Sequence, residues 1–190
     1  MRPGPPLKPI WWNFCPISLV KNWSAILSCR WAILREIEGA AGAWLFLRAL
    51  GFGVAVPGLM RLSLVTLDRL LSRRFPGPGT RAPDSGHGRA VVRGVDGALA
   101  WGRPLVRSGC LSRGLTRYYF LRRAGFEVTL VFGIPRKDGS FLTEPGHCWL
   151  EWAGKPIWED RDPRMGFVPI YQLPKGEVGE GTPTKKSAVL

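Results

Sequence analysis

Apolar residues fall into two periods along this chain, helical in the first two thirds and alternating after about residue 127. From about Trp23 to Arg74 the apolar positions are dense and helix-rich, with Leu45, Phe46 and Leu47 in one patch. Pro57-Gly58 predicts a break, because proline removes a helix hydrogen bond. Beyond it Met60, Leu64, Leu67 and Leu71 share one helical face, with Arg61, Asp68 and Ser72 off that face. The stretch Ala40 to Met60 raises a membrane span. Arg48 and Pro57 interrupt the run of about 20 apolar residues that a span requires, so a buried helical hairpin is expected instead. Residues 76–88 read as a loop that contains His87, and Arg89 to Leu105 as a short helix.

The next predicted helix runs from Cys110 to Ala124, with Gly125 as its C-cap. A 100° step places Cys110, Leu121, Gly114, Tyr118, Leu111 and Leu115 in one arc, with Cys110 at its edge beside Arg113 and Arg117 on the polar side. Alternation then begins. Glu127 to Gly133 reads as a strand with Val128, Leu130 and Phe132 on one face, and Arg136 to Ser140 as a turn. His147 to Trp152 is a second strand, Gly154-Lys155 a tight turn, and Pro156 to Glu159 a third strand. The expected fold class is α+β, a helix packed on an antiparallel sheet behind a helical N-terminal layer. The expected organisation is a flexible arm at 1–22, where four prolines fall in the first nine residues, a helical region at 23–75 and a loop at 76–88. A core at 89–173 and a polar, disordered tail at 174–190 complete it.

Composition narrows the function classes. Net charge is +13, but the arginines are scattered rather than packed in a run. The aromatics sit in apolar patterns, not interleaved with Arg or Lys on an exposed strand face, which disfavours nucleic acid. A membrane-surface role for residues 40–75 is compatible with any activity but is not what the pattern favours. The four cysteines, Cys15, Cys29, Cys110 and Cys148, show no CxxC spacing and follow no signal-peptide pattern, which indicates free thiols in a reducing, cytoplasmic setting.

The order Cys110, His147, then Glu159-Asp160 carries chemistry. A thiol is a nucleophile only as thiolate, and the first turn of a helix lowers its pKa, as a nearby imidazolium does. With a turn at 153–155, residues 159 to 162 would pair back against 147 to 149, making His147 and an acid at 159 or 160 cross-strand neighbours. A carboxylate on one ring nitrogen fixes the tautomer and leaves the other facing the thiol. Against this stand plainer readings: a cysteine on a helix as a small buried hydrophobe, and a histidine beside tryptophan as a core residue. Cys148 beside His147 hints at a metal, but adjacent strand residues point to opposite faces and zinc asks for about four ligands. No metal and no cofactor are expected.

The segments Cys110-Leu111-Ser112-Arg113-Gly114-Leu115-Thr116-Arg117-Tyr118, Leu121-Arg122-Arg123-Ala124-Gly125, Leu130-Val131-Phe132-Gly133 and Gly146-His147-Cys148-Trp149-Leu150 together resemble the lasso-peptide maturation proteases. These are transglutaminase-like cysteine proteases that remove the leader from a precursor peptide. The resemblance covers roughly residues 60–172 and is strongest from 108 to 160. It implies a papain/transglutaminase-like core with Cys110 as nucleophile and His147 as base. The third member, twelve residues after the histidine and usually Asp, is Glu159 here, with Asp160 as runner-up. The usual Ala-His-Ala-Trp is Gly-His-Cys-Trp, and no Gln precedes Cys110, so the oxyanion hole falls to backbone N–H groups including that of Cys110. Arg113, Arg117 and Trp149 are the substrate-binding candidates, the two arginines for acidic leader residues. The implied partners are the precursor peptide, a separate leader-recognition protein and, further off, the ring-closing cyclase. Two other functions compete: transpeptidation or amide transfer on the same fold, and a non-catalytic binding module.

Overall fold

The longest apolar stretch folds as one continuous helix, α1 (Gly39–Leu59), which runs through Pro57 without breaking. The expected break fails for a local reason. Proline costs a helix the bond to the residue four back and crowds that carbonyl, but Pro57 stands two residues from the end of the helix, so the cost falls on its last turn alone. Phe46, Ala49, Gly53 and Val56 form the buried stripe of α1. Its other side carries exposed Trp44, Leu47 and Val54, with Arg48 lying over the Trp44 ring. By length and composition α1 is long and apolar enough to cross a membrane. The structure, a computed structural model, describes residues 30–35, 37, 39–72, 83, 85–103, 105–106, 109–136 and 146–174. The expected arm at 1–22, most of the loop at 76–88, the turn beyond Arg136 and the tail after 174 lie outside the described residues.

A turn at Met60 leads to α2 (Leu64–Ser72), capped by Ser63, whose hydroxyl accepts from Thr66 N–H at 3.2 Å. Leu67 and Leu71 are buried, as their spacing predicts, and Met60 lies in the preceding turn. Helix α3 (Gly86–Trp101) starts one turn earlier than expected because Ser85 caps it, and it ends at Gly102 rather than reaching Leu105. His87 therefore sits in a helical first turn, exposed, with its ring tilted against Phe126. Gly53 lets α1 settle on α3: a Cβ there would stand 2.6 Å from a Leu99 methyl.

Helix α4 (Cys110–Arg123) is the centre of the molecule. Ala124 caps it and Gly125 follows at φ +84, the left-handed conformation that glycine adopts freely. The expected one-sided burial is too narrow. Ser112, Thr116 and Arg117 are buried along with Leu115, Tyr118, Phe120 and Leu121, because α1 and α3 pack on one side of α4 and the sheet on another.

The sheet has four antiparallel strands in the order β3-β2-β1-β4. They are β1 (Thr129–Pro135), β2 (His147–Trp152), β3 (Lys155–Ile157) and β4 (Phe167–Leu173). The hairpin β2–β3 turns on Ala153 (φ 48) and Gly154 (φ 71), a two-residue loop whose left-handed pair matches the twist of the flanking strands. Leu130, Cys148, Leu150 and Leu173 face the helices and join their core, whereas Val131, Trp149 and Phe167 form a second cluster on the opposite face. Strand β4 has no counterpart among the expected elements. Its apolar alternation is broken by Pro169 and by a register shift against β1 between Phe132 and Gly133, both tolerated at a sheet edge.

Candidate active site

Gly109 enters α4 in an extended conformation (φ −97, ψ 172) with no side-chain cap. The first intrahelical bond runs from Arg113 N–H to the Gly109 carbonyl at 3.1 Å. The amides of Cys110, Leu111 and Ser112 therefore have no partner within the helix, at the end where the helix dipole is positive.

Strand β2 brings two side chains to that thiol. The Cys110 thiol is stabilised as thiolate first by the Cys148 side chain, then by His147, and less by the Cys148 backbone. Together these outweigh burial and lower its pKa to about 4. His147 is pushed up to about 9 by its bond to Cys110 and then by Glu159, again against burial. Its Nε2 stands 3.3 Å from Glu159 Oε2. Near neutral pH the site therefore holds a thiolate beside an imidazolium. Cys148 moves the other way: its bond to Cys110 comes first, then burial, and both keep its proton on.

That both neighbours reach one thiol departs from the rule of opposite faces invoked against a metal. Cys148 points to the helix side, as expected. His147 is the first residue of β2, after Gly146 at φ +133, so its ring is free to sit at the end of the sheet where α4 begins. Among the described residues no group of three or more His, Cys, Asp or Glu is placed to hold a metal ion.

Glu159 reaches His147 by a route other than strand pairing. The β2–β3 register sets Trp152 against Lys155 and Leu150 against Ile157, and the ladder stops there. The expected pairing of 159–162 against 147–149 does not form. Trp158 adopts φ +58, which turns the chain out of the strand and carries the Glu159 carboxylate to the imidazole. Asp160 is exposed.

The other candidate residues are placed differently from one another. Arg113 is half-buried and lines a small cleft at Cys110, Cys148 and Glu159, and Arg117 and Trp149 contribute to the same lining. Arg117 is buried and its guanidinium grips both carboxylate oxygens of Asp96 on α3, one of them at 2.8 Å. Trp149 is buried too, its indole N–H donating to Glu151 at 2.8 Å and its ring nearly parallel to the imidazole, 6.1 Å between centroids. Phe167 closes on His147 from β4 at 5.3 Å. Asp96 and Phe167 carried no signal in the sequence, since each acts on the site through a partner far along the chain. Trp158 carried none either, for a left-handed tryptophan has no sequence signature.

This arrangement can deliver a thiolate to an electrophilic carbon, hold an oxyanion on helix amides and return a proton from the imidazolium. A family model described as the transglutaminase-like superfamily matches residues 50–172, more than half of the chain. No curated protein and no solved structure matches it.

Proposed function

The chain belongs to the transglutaminase-like superfamily, and from that premise we propose that it is a cysteine peptidase that removes the leader of a ribosomally made, lasso-type precursor peptide. The observation that carries this reading is His147, bonded to Glu159 at 3.3 Å, acting on Cys110 at the start of α4. Cys110 attacks the carbonyl at the leader–core junction, and the free amides of the first helical turn receive the oxyanion. His147 gives its proton to the departing core amine, then takes one from the water that hydrolyses the acyl-enzyme. Glu159 holds the ring in place. Arg113 on the cleft wall suits an acidic leader residue. A separate recognition protein presents the precursor in the cytoplasm, and the released core passes to a ring-closing cyclase. An amine in place of water would make the same acyl-enzyme a transpeptidase.

The test is mass spectrometry of the protein mixed with a leader–core precursor and its recognition protein. The expected products are leader joined to Cys110 as a thioester, free leader, and core with a new N-terminus. Cys110→Ala should give none of them. Leader release by that variant would overturn the reading, and leader joined to an added amine would select transpeptidation.

The pH profile follows from the two shifted groups. Cys110 loses its charge as pH falls through about 4, and His147 loses its proton as pH rises through about 9, so turnover should be bell-shaped with limbs there. Glu159→Gln removes an interaction that raises His147. It should draw the alkaline limb below 9 and cost at least about tenfold in kcat/KM. Asp160→Asn should change kcat/KM by no more than about twofold, because exposed charges contribute little. Equal losses in the two variants would show that the acid has been misassigned.

A further inference from the structure

The peptidase steps make no covalent use of Cys148, although it is a buried thiol in contact with the nucleophile. Its position is set by packing. Cys110 and Gly114 are four residues apart and share one face of α4. The Cys148 sulfur lies over Gly114, so close that a Cβ added there would be 3.0 Å from it. Glycine at 114 is thus the space into which the second thiol fits, one helical turn from the first. Both sulfurs line the same small cleft, so a small polar oxidant that reaches one is already beside the other.

We propose that Cys148 is a resolving cysteine, and that peroxide converts Cys110 and Cys148 to a reversible disulfide that switches the site off and shields Cys110 from irreversible oxidation. The chemistry balances with peroxide as the only added reagent. The Cys110 thiolate attacks one peroxide oxygen, the S–O bond forms as the O–O bond breaks, and the leaving hydroxide takes the His147 proton and departs as water. Cys110 is now a neutral sulfenic acid. The charge and the interaction with Cys110 that held the proton on Cys148 are gone, leaving burial and the nearby Glu159 on one side and Arg113 on the other. The Cys148 sulfur then attacks the Cys110 sulfur, the S–S bond forms as the S–O bond breaks, and hydroxide leaves with the thiol proton as a second water. The two sulfurs are oxidised together by two electrons and the peroxide is reduced by two. A dithiol reverses the change.

This inference rests on the thiolate reading of Cys110 and not on peptide cleavage. The experiment uses the full chain carrying Cys15→Ser and Cys29→Ser, treated with hydrogen peroxide, followed by intact mass, peptide mapping and iodoacetamide labelling before and after dithiothreitol. The expected result is a loss of about 2 Da, a 110–148 cross-linked peptide, loss of labelling, and full recovery on reduction. Adding Cys148→Ala, with a thermal melt to confirm folding, should instead give a gain of about 32 Da and no recovery. A gain of about 32 Da with no cross-link in the Cys148-containing protein would overturn the proposal whatever the variant does. Slow labelling of the reduced protein near neutral pH would count against the thiolate reading, whereas fast labelling without a cross-link counts only against the resolving role.

Discussion

His147→Ala is expected to lower kcat/KM by about 10²- to 10⁴-fold, the usual contribution of a positioned acid–base group. It should also raise the pKa of Cys110 from about 4, read as the acid limb of iodoacetamide alkylation in a Cys15→Ser, Cys29→Ser background. The direction is fixed by what the imidazolium does. It donates a hydrogen bond to the thiolate and faces it with a positive charge, and both favour the ionised form. The rise should stop short of an ordinary thiol, because the bond from Cys148 contributes more than the bond from His147 and survives the substitution. Cys148→Ala should accordingly raise the same limb as well. An unchanged limb in His147→Ala would sever the thiolate–imidazolium pairing on which the peptidase reading depends.

The second large effect is on stability. Asp96→Ala leaves the Arg117 guanidinium buried between α3 and α4 with its bidentate partner gone. An unpaired buried charge costs about 3–5 kcal/mol, measurable as a shift in the midpoint of urea unfolding. The double variant Asp96→Ala, Arg117→Met should recover most of that loss, since an apolar replacement of a buried ion pair is often close to neutral. A loss below about 1 kcal/mol for Asp96→Ala, the range of a surface pair, would contradict the burial described here. The double variant also bears on substrate contact. Arg117 lines the cleft as well as holding Asp96, so a rise in KM for the precursor would mark it as a substrate contact and an unchanged KM as a structural residue alone. Arg113, on the same cleft wall, is the other arginine whose loss should raise KM.

Much of this molecule is legible in one dimension. The boundaries of α4 follow from Gly109 and Gly125, the amphipathic spacing of Leu67 and Leu71 marks the buried face of α2, and alternation locates β1 and β2. The hairpin reading left Glu159 and Asp160 open and rested on a register that does not form; the preference for Glu159 was what the resemblance implied. The errors share a cause. Pro57 reads as a breaker at its own position, whereas the helix runs two residues past it to Leu59. Arg117 reads as a solvent residue because charge and helical angle say so, yet Asp96, 21 positions away, meets it inside the protein. β4 is masked by a proline and a bulge that only an edge position makes acceptable.

The sequence alone therefore determined the helices α2 to α4, the strands β1 and β2, and the order of Cys110, His147 and Glu159 along the chain, because periodicity and capping act between near neighbours. Tertiary structure decided which polar groups are spent on the fold and which on the site. It buried Arg117 against Asp96, seated Cys148 over Gly114 and turned Trp158 out of its strand to aim Glu159. Burial and hydrogen bonding between distant segments set these outcomes, and a side chain's environment, not its type, settles whether its charge and its proton are available for chemistry.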